Sequence, residues 1–263
     1  MAANDPIHQF EITKLADFGT VNLPVFGPSE IAFTNSHLAM TIAFGALVLF
    51  MSLATAGMKV VPGRLQSAGE QLFSLIDNLT ESIIGHDGRK YFPFVFTVFS
   101  LILAMNFLGL LLTFTVTSQL AITATLGLIT ILLVIAVGVI KNGFGFFKLF
   151  WPSSAPLVLR PLIGLIEVVS FLLRPLTLAL RLFGNMMGGH VALKVFAGFV
   201  VTLGALAGGG GLGLLGIPGA ALSLGMVVAL TALEFLVAFL QAFVFAVLTC
   251  IYLNEVVNLG HGH

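Results

Sequence analysis

Hydrophobic and polar positions along this chain fall into long blocks rather than a fine alternation. A first apolar block covers residues 31–58, enough to cross a hydrocarbon core of about 30 Å, and Lys59, Pro62, Gly63 and Arg64 end it. Over residues 64–86 the pattern becomes a stripe. Leu65, Leu72, Ile76, Leu79 and Ile83 fall on one helical face, with Glu70, Asp77 and Glu81 on the other. This predicts an amphipathic helix lying along the membrane surface, although packing against other protein produces the same spacing. Residues 91–140 hold two further spans, joined by an uncharged tip at residues 115–119. Lys141, Asn142, Gly143, Lys148, Trp151 and Pro152 form the next interfacial loop, with an aromatic anchor.

From residue 156 onward the blocks are too long for upright spans. Residues 156–206 read as one helical pattern of roughly fifty residues, or about 75 Å. The run Gly208-Gly209-Gly210-Gly211-Leu212-Gly213 turns the chain, Pro218 closes the turn, and a last helix over about 219–258 is again too long. Two steeply tilted or broken helices account for both lengths. The expected fold is an all-α polytopic membrane protein with about five membrane helices, the last two long and steeply tilted, plus one interfacial amphipathic helix. Its regions are a polar N-terminal segment (1–30), a first membrane helix (31–58), the interfacial helix (64–86), a helical hairpin (91–140) and the long pair (156–263).

Composition sharpens the class. Of 263 residues, 58% are hydrophobic and 8% charged, with a mean hydropathy of +1.11. Soluble domains carry about 25% charged residues, so the chain belongs in a lipid bilayer. A net charge of zero offers no basic face for nucleic acid. The lone Cys250 leaves no intramolecular disulfide and no multi-cysteine metal site, and no cofactor is expected. The first 30 residues, with Asp5, Glu11, Asp17 and Glu30, lack the basic start and apolar core of a signal peptide. With the N-terminus outside, the loops holding Lys59, Arg64, Arg89, Lys90, Lys141, Lys148 and Arg160 all lie inside, and the outer loops carry only Lys14. The C-terminus is then inside.

Candidate chemistry concentrates in the last two helices. The first three spans are nearly free of ionisable groups, whereas the fourth holds Glu167, Arg174, Arg181, His190 and Lys194, and the fifth holds Glu234. Each charge near the membrane centre costs about 2.5–3.5 kcal/mol on insertion scales, so such a set points to a pathway. Glu167, Arg174 and Arg181 are spaced by seven, within about 40° of one stripe. Asn185 follows one turn after Arg181 on that face. His190 lies roughly half a revolution round the helix and about 13 Å along it. On the last helix Glu234 and Gln241 share a face.

The run Arg181-Leu182-Phe183-Gly184-Asn185-Met186 resembles the signature of subunit a of the F-type ATP synthases. Glu167, Pro175, the downstream Gln241-Ala242-Phe243 and Asn106 within Met105-Asn106-Phe107 support the resemblance. It extends from the first span to the end of the chain. It implies a non-catalytic, ion-translocating subunit in ATP synthesis and proton transport, with the bilayer around it. The implied partners are c-ring subunits carrying a proton-binding carboxylate, peripheral-stalk b subunits and other ATP synthase subunits. Arg181 resembles the family's essential arginine, a fixed cation that favours an ionised carboxylate and cannot itself relay a proton. Glu167 resembles the carboxylate of the half-channel open to the inside. His190, Glu234, Asn185 and Gln241 resemble the lining of the outer half-channel. The His190 and Glu234 arrangement is similar to alphaproteobacterial and mitochondrial versions and suggests that the two positions face one another; the polar N-terminal segment leans towards a bacterial inner membrane. His190 also points to protons as the ion, since imidazole titrates near neutrality.

Other positions keep two readings. Lys194 either lines the entrance or extends its ammonium to the headgroups. Arg174 pairs with Glu167 or with lipid at the inner surface. Gly184, Gly188 and Gly189 admit a close backbone, whether for function or for plain packing. His8, His37 and His86 read as solvated, His261 and His263 as a disordered tail, and Glu255 as a headgroup-level residue. An autonomous secondary transporter would show repeated broken helices, and only Arg160-Pro161-Leu162 against Arg174-Pro175-Leu176 gives a faint echo. A passive scaffold would have no use for Arg181, His190 and Glu234 inside its spans.

Overall fold

The structure, a computed structural model, describes residues 13–23, 27–57, 59–85, 87–111, 115–150, 159–208 and 216–259. Trp151, Pro152, His8, His86, His261, His263 and most of the glycine-rich turn lie outside these residues. Two strands come first, β1 (Lys14–Leu23) and β2 (Gly27–Thr34), followed by α1 (Asn35–Thr55), α2 (Arg64–Ile84), α3 (Gly88–Leu111), α4 (Leu120–Asn142), α5 (Arg160–Ala207) and α6 (Gly216–Val257). Five stretches are long and apolar enough to cross a membrane: Asn35–Thr55, Gly88–Leu111, Leu120–Phe146, Arg160–Ala207 and Gly216–Val257. The chain is a polytopic helical membrane protein, and α2 is the one long described helix outside that set.

The sequence pattern did not reveal the strand pair. β1 and β2 run antiparallel, with Val21 opposite Ser29 and Asp17 opposite Ala32. The register slips between Asp17 and Thr20, where Gly19 takes φ 99° and its N–H donates to Asp17 Oδ1 at 3.1 Å. A bulge of this kind needs a residue tolerant of positive φ. Residues 31–34, read from the sequence as the start of the first membrane helix, complete β2. Helix α1 starts at Asn35, whose Oδ1 accepts from the backbone of Thr13 at 3.2 Å and of Ser36 at 3.0 Å. His37 is exposed in the first turn, 2.8 Å from Thr34 Oγ1.

The chain divides into two compact units. The first comprises residues 1–44, 104–119 and 183–240. Within it the α5–α6 connection is tight, because a Cβ on Gly216 would run into the Leu203 carbonyl oxygen. In the turn between α3 and α4, expected as an uncharged tip, Thr115, Val116, Thr117 and Ser118 are nearly inaccessible and Gln119 is half-buried. Ser118 Oγ bonds locally to the Thr115 carbonyl at 2.6 Å, whereas Thr117 Oγ1 is buried with no hydrogen-bond partner among the described residues.

The second unit comprises residues 45–103, 120–182 and 241–263. Several helix ends meet in it. Asn142 Nδ2 donates to the Val256 carbonyl at 2.6 Å, and Asn258 Nδ2 to the Ile84 carbonyl at 3.3 Å. Asp87 pairs with Lys141 at 2.6 Å and with Lys90 at 3.1 Å. The Lys141 bond first, then the Lys90 bond, hold the Asp87 carboxyl down at about 2. The amphipathic helix α2 buries Ile76, Thr80 and Ile84 and leaves Leu65 and Phe73 exposed. α4 meets α5 at backbone distance: a Cβ on Gly127 would stand 2.7 Å from the Pro175 carbonyl oxygen.

Candidate proton path

Helix α5 carries its chemistry on distinct faces. Phe171, Leu178, Ala179, Leu182 and Met186 are buried at the i, i+7, i+8, i+11 and i+15 spacing of one helical stripe. Leu173, Leu176, Leu180, Arg181, Gly184, Asn185 and Gly188 are exposed and form another. A Cβ on Gly184 or Gly188 would meet nothing within 4 Å. Arg181 thus stands on an open face of a membrane-length helix, with small residues in the next two turns. Among the described residues it forms no ion pair. Lys194 is also exposed.

In the first unit, the far half of α5 meets the end of α3 and the first half of α6. His190 Nε2 lies 2.8 Å from Thr115 Oγ1, and Thr115 donates its hydroxyl to the Gly109 carbonyl at 3.1 Å. One residue before His190, Gly189 lets the Glu234 carboxylate approach: a Cβ there would run into Glu234 Oε1. Glu234 is 8% exposed, and both carboxylate oxygens are closed off, with no hydrogen-bond partner among the described residues. One turn along α6, the Ala238 carbonyl accepts from Asn106 Nδ2 at 3.1 Å, and Phe107 packs on Phe235 with ring centroids 5.7 Å apart. Asn106 therefore pins α3 to α6 beside the acid. Burying a charge without a partner is expensive, so the pocket suits a group that gains or sheds charge with a proton.

In the second unit, the near half of α5 meets the end of α6. Arg174 Nη1 bonds Glu255 Oε2, and Nη2 lies 3.3 Å from Glu167 Oε1. The guanidinium carbon also sits 4.8 Å from the Tyr252 ring centroid and 5.2 Å from that of Phe171. A planar fork that stacks on rings while serving two carboxylates is a role lysine cannot copy. Gln241 is buried in this unit.

Thus Arg174 has the Glu167 partner expected of it, and a second one in Glu255, which the sequence assigned to the headgroup level. His190 and Glu234 fall in the same unit, with Gly189 as the contact to the acid and Thr115 as the contact to the imidazole. Asn185 is exposed on the Arg181 face. Sequence reasoning missed Thr115, Gly109 and the pairing of Glu255. A run of hydroxyl residues at a hairpin turn was the available signal for Thr115, but hydroxyls are also ordinary in exposed turns.

The family model described as ATP synthase A chain matches residues 37–254. ATP synthase subunit a of Rhodopseudomonas palustris strain BisB18 is 49% identical over 258 residues, covering 98% of this chain and 99% of that protein. ATP synthase subunit a of Chelativorans sp. strain BNC1 is 49% identical over 261 residues, covering 98% and 100%. That of Nitrobacter hamburgensis is 48% identical over 258 residues, covering 98% and 99%. A family match across most of the chain and near-half identity over almost its whole length place it plainly: the chain belongs to the ATP synthase A chain family, subunit a of the ATP synthases.

Proposed function

We propose that the chain is the proton-conducting stator of a rotary F-type ATP synthase, in which Arg181 gates two offset half-channels that serve the carboxylates of a c-ring. Family membership makes it a non-catalytic, ion-translocating subunit, multi-pass in a bacterial inner membrane, working with other ATP synthase subunits. In the proposed scheme His190, Glu234, Asn185 and Gln241 line the outer half-channel, with Asn106 bracing it, and Glu167 serves the inner one. Arg174 holds Glu167 in place and Lys194 stands towards the outer entrance. The N-terminus lies outside and the C-terminus inside, peripheral-stalk b subunits anchor the stator, and each proton crossing yields about 2.3 kcal/mol per 100 mV.

The exposed guanidinium of Arg181 is the observation that carries this reading. A permanent cation on the open face of a membrane helix, with no acid of its own chain beside it among the described residues, calls for a carboxylate from a partner. Gly184 and Gly188 on the same face let that partner come close. A permanently charged guanidinium attracts the ionised carboxylate without relaying its proton.

The test is Arg181→Ala in the intact enzyme reconstituted into vesicles. Assembly and ATP hydrolysis persist, while ATP-driven proton uptake is lost. Normal uptake by an assembled Arg181→Ala enzyme removes the gate assignment.

A further inference from the structure

The hydrogen bonds around His190 define more than its position. Thr115 has one hydroxyl hydrogen, and its oxygen can also accept. The Gly109 carbonyl, 3.1 Å away, can only accept, so it takes that hydrogen. The contact of 2.8 Å between Thr115 Oγ1 and His190 Nε2 is then an Nε2–H donating to the hydroxyl oxygen. Neutral His190 with a proton on Nε2 has a bare Nδ1.

We propose that Thr115 is a positioning residue that holds His190 as the Nε2–H tautomer, so that Nδ1 alone takes up and releases the translocated proton. The proposal rests on the assignment of His190 to the proton path. On uptake, Nδ1 binds a proton and the ring becomes imidazolium; on release the same nitrogen gives it up. Nε2 keeps its proton and its bond to Thr115 in both states, so the ring passes protons without turning over. Among the described residues, the charged and titratable groups near the ring are Lys194, one turn further along α5, and Glu234 of α6, whose carboxylate lies against the neighbouring Gly189. Gly109 is part of the device. A Cβ there would stand 2.6 Å from Thr115 Cγ2, so a side chain at this position pushes the threonine methyl aside and turns the hydroxyl with it.

The experiment compares Thr115→Val, Thr115→Ser, Gly109→Ala and His190→Ala in the intact, vesicle-reconstituted enzyme, reading ATP-driven proton uptake as a function of pH. Thr115→Val keeps the shape and removes the acceptor. Its uptake falls on the order of three- to tenfold, the rate equivalent of one lost hydrogen bond, and its pH profile shifts. Thr115→Ser keeps the hydroxyl, the profile and a rate within about twofold of the parent. Gly109→Ala behaves like Thr115→Val, and adding Thr115→Ser to it restores uptake, because serine lacks the methyl that the new Cβ would strike.

A parent-like rate and profile in Thr115→Val overturns the proposal. So does a Thr115→Ser enzyme as impaired as Thr115→Val, since the methyl rather than the hydroxyl would then be at work. His190→Ala separates the two levels. Lost uptake there with a silent Thr115→Val leaves the path standing and removes Thr115 from it. Normal uptake in His190→Ala removes the path assignment itself.

Discussion

The two units of this chain each hold a partly buried polar set, and the sets are built on opposite principles. In the second unit Arg174 binds Glu255 and Glu167 and stacks between Tyr252 and Phe171. Every charge there has an opposite charge or a ring face beside it. In the first unit Glu234 is buried with neither oxygen bonded among the described residues, and His190 leans on a neutral hydroxyl. A paired set holds charge in place, because moving a proton on or off one member leaves the others uncompensated. An unpaired acid beside a polar but neutral imidazole site has no such counter-ion to lose. Under the proposed function, the difference separates a structural clamp from the place where protons are exchanged.

The sharpest way to break this comparison is to neutralise one acid from each set. Glu234→Gln in the intact enzyme is expected to lower ATP-driven proton uptake by about two orders of magnitude or more, the range for removing a proton-transfer group. Glu255→Gln is expected to cost far less uptake. Equal losses in the two variants would erase the distinction. Next in size is Arg174→Ala, which strands two carboxylates that are each about a third exposed. Its expected cost is about 1–2 kcal/mol, between an exposed pair and a fully buried one, because water reaches both acids. Thermal unfolding of the purified complex would register it, and a variant as stable as the parent would mean the clamp holds nothing.

Gly189→Ala is a comparable intrusion. The added methyl must displace the Glu234 carboxylate, with an expected cost of about 1–3 kcal/mol typical of overpacking. Gly184→Ala, on the open face of the same helix, is the control and leaves the fold unaffected. Similar unfolding temperatures for the two variants would deny that Gly189 is the seat of the acid.

The smallest effect concerns acid. Asp87 has its pKa lowered to about 2, whereas an unfolded aspartate titrates near 3.9. The contribution of its bonds to Lys141 and Lys90 is therefore complete above about pH 4 and is lost as the pH falls towards 2. Asp87→Asn should slightly lower stability at neutral pH, where that contribution is complete, and blunt the acid sensitivity of the parent below about pH 4. An Asp87→Asn enzyme with the parent's full acid sensitivity would mean that other carboxylates set it.

Much of the architecture was legible because the bilayer enforces it locally. Twenty or more apolar residues in a row admit few outcomes. Helix α2 showed itself through its charged stripe. The ends of α5 and α6 were marked by glycine and proline. The strand pair was hidden, since β1 and β2 have no clean alternation and the bulge at Gly19 interrupts their register. Residues 31–34 are apolar and adjoin the first span, so hydropathy alone merged them with α1.

The sequence by itself determined the class, the five long apolar stretches, the charged residues within them and, through the run from Arg181 to Met186, the resemblance to one family. All of these are properties of single segments, set by hydropathy and helical spacing. Only the tertiary structure decided which groups meet. It brought Glu255 to Arg174 across 81 positions, and Thr115 to His190 across 75. It buried the turn at residues 115–118 that polarity alone would have left in water. The reason is geometric: hydrogen bonds and ion pairs reach about 3 Å, while helix packing brings together residues of any separation in sequence.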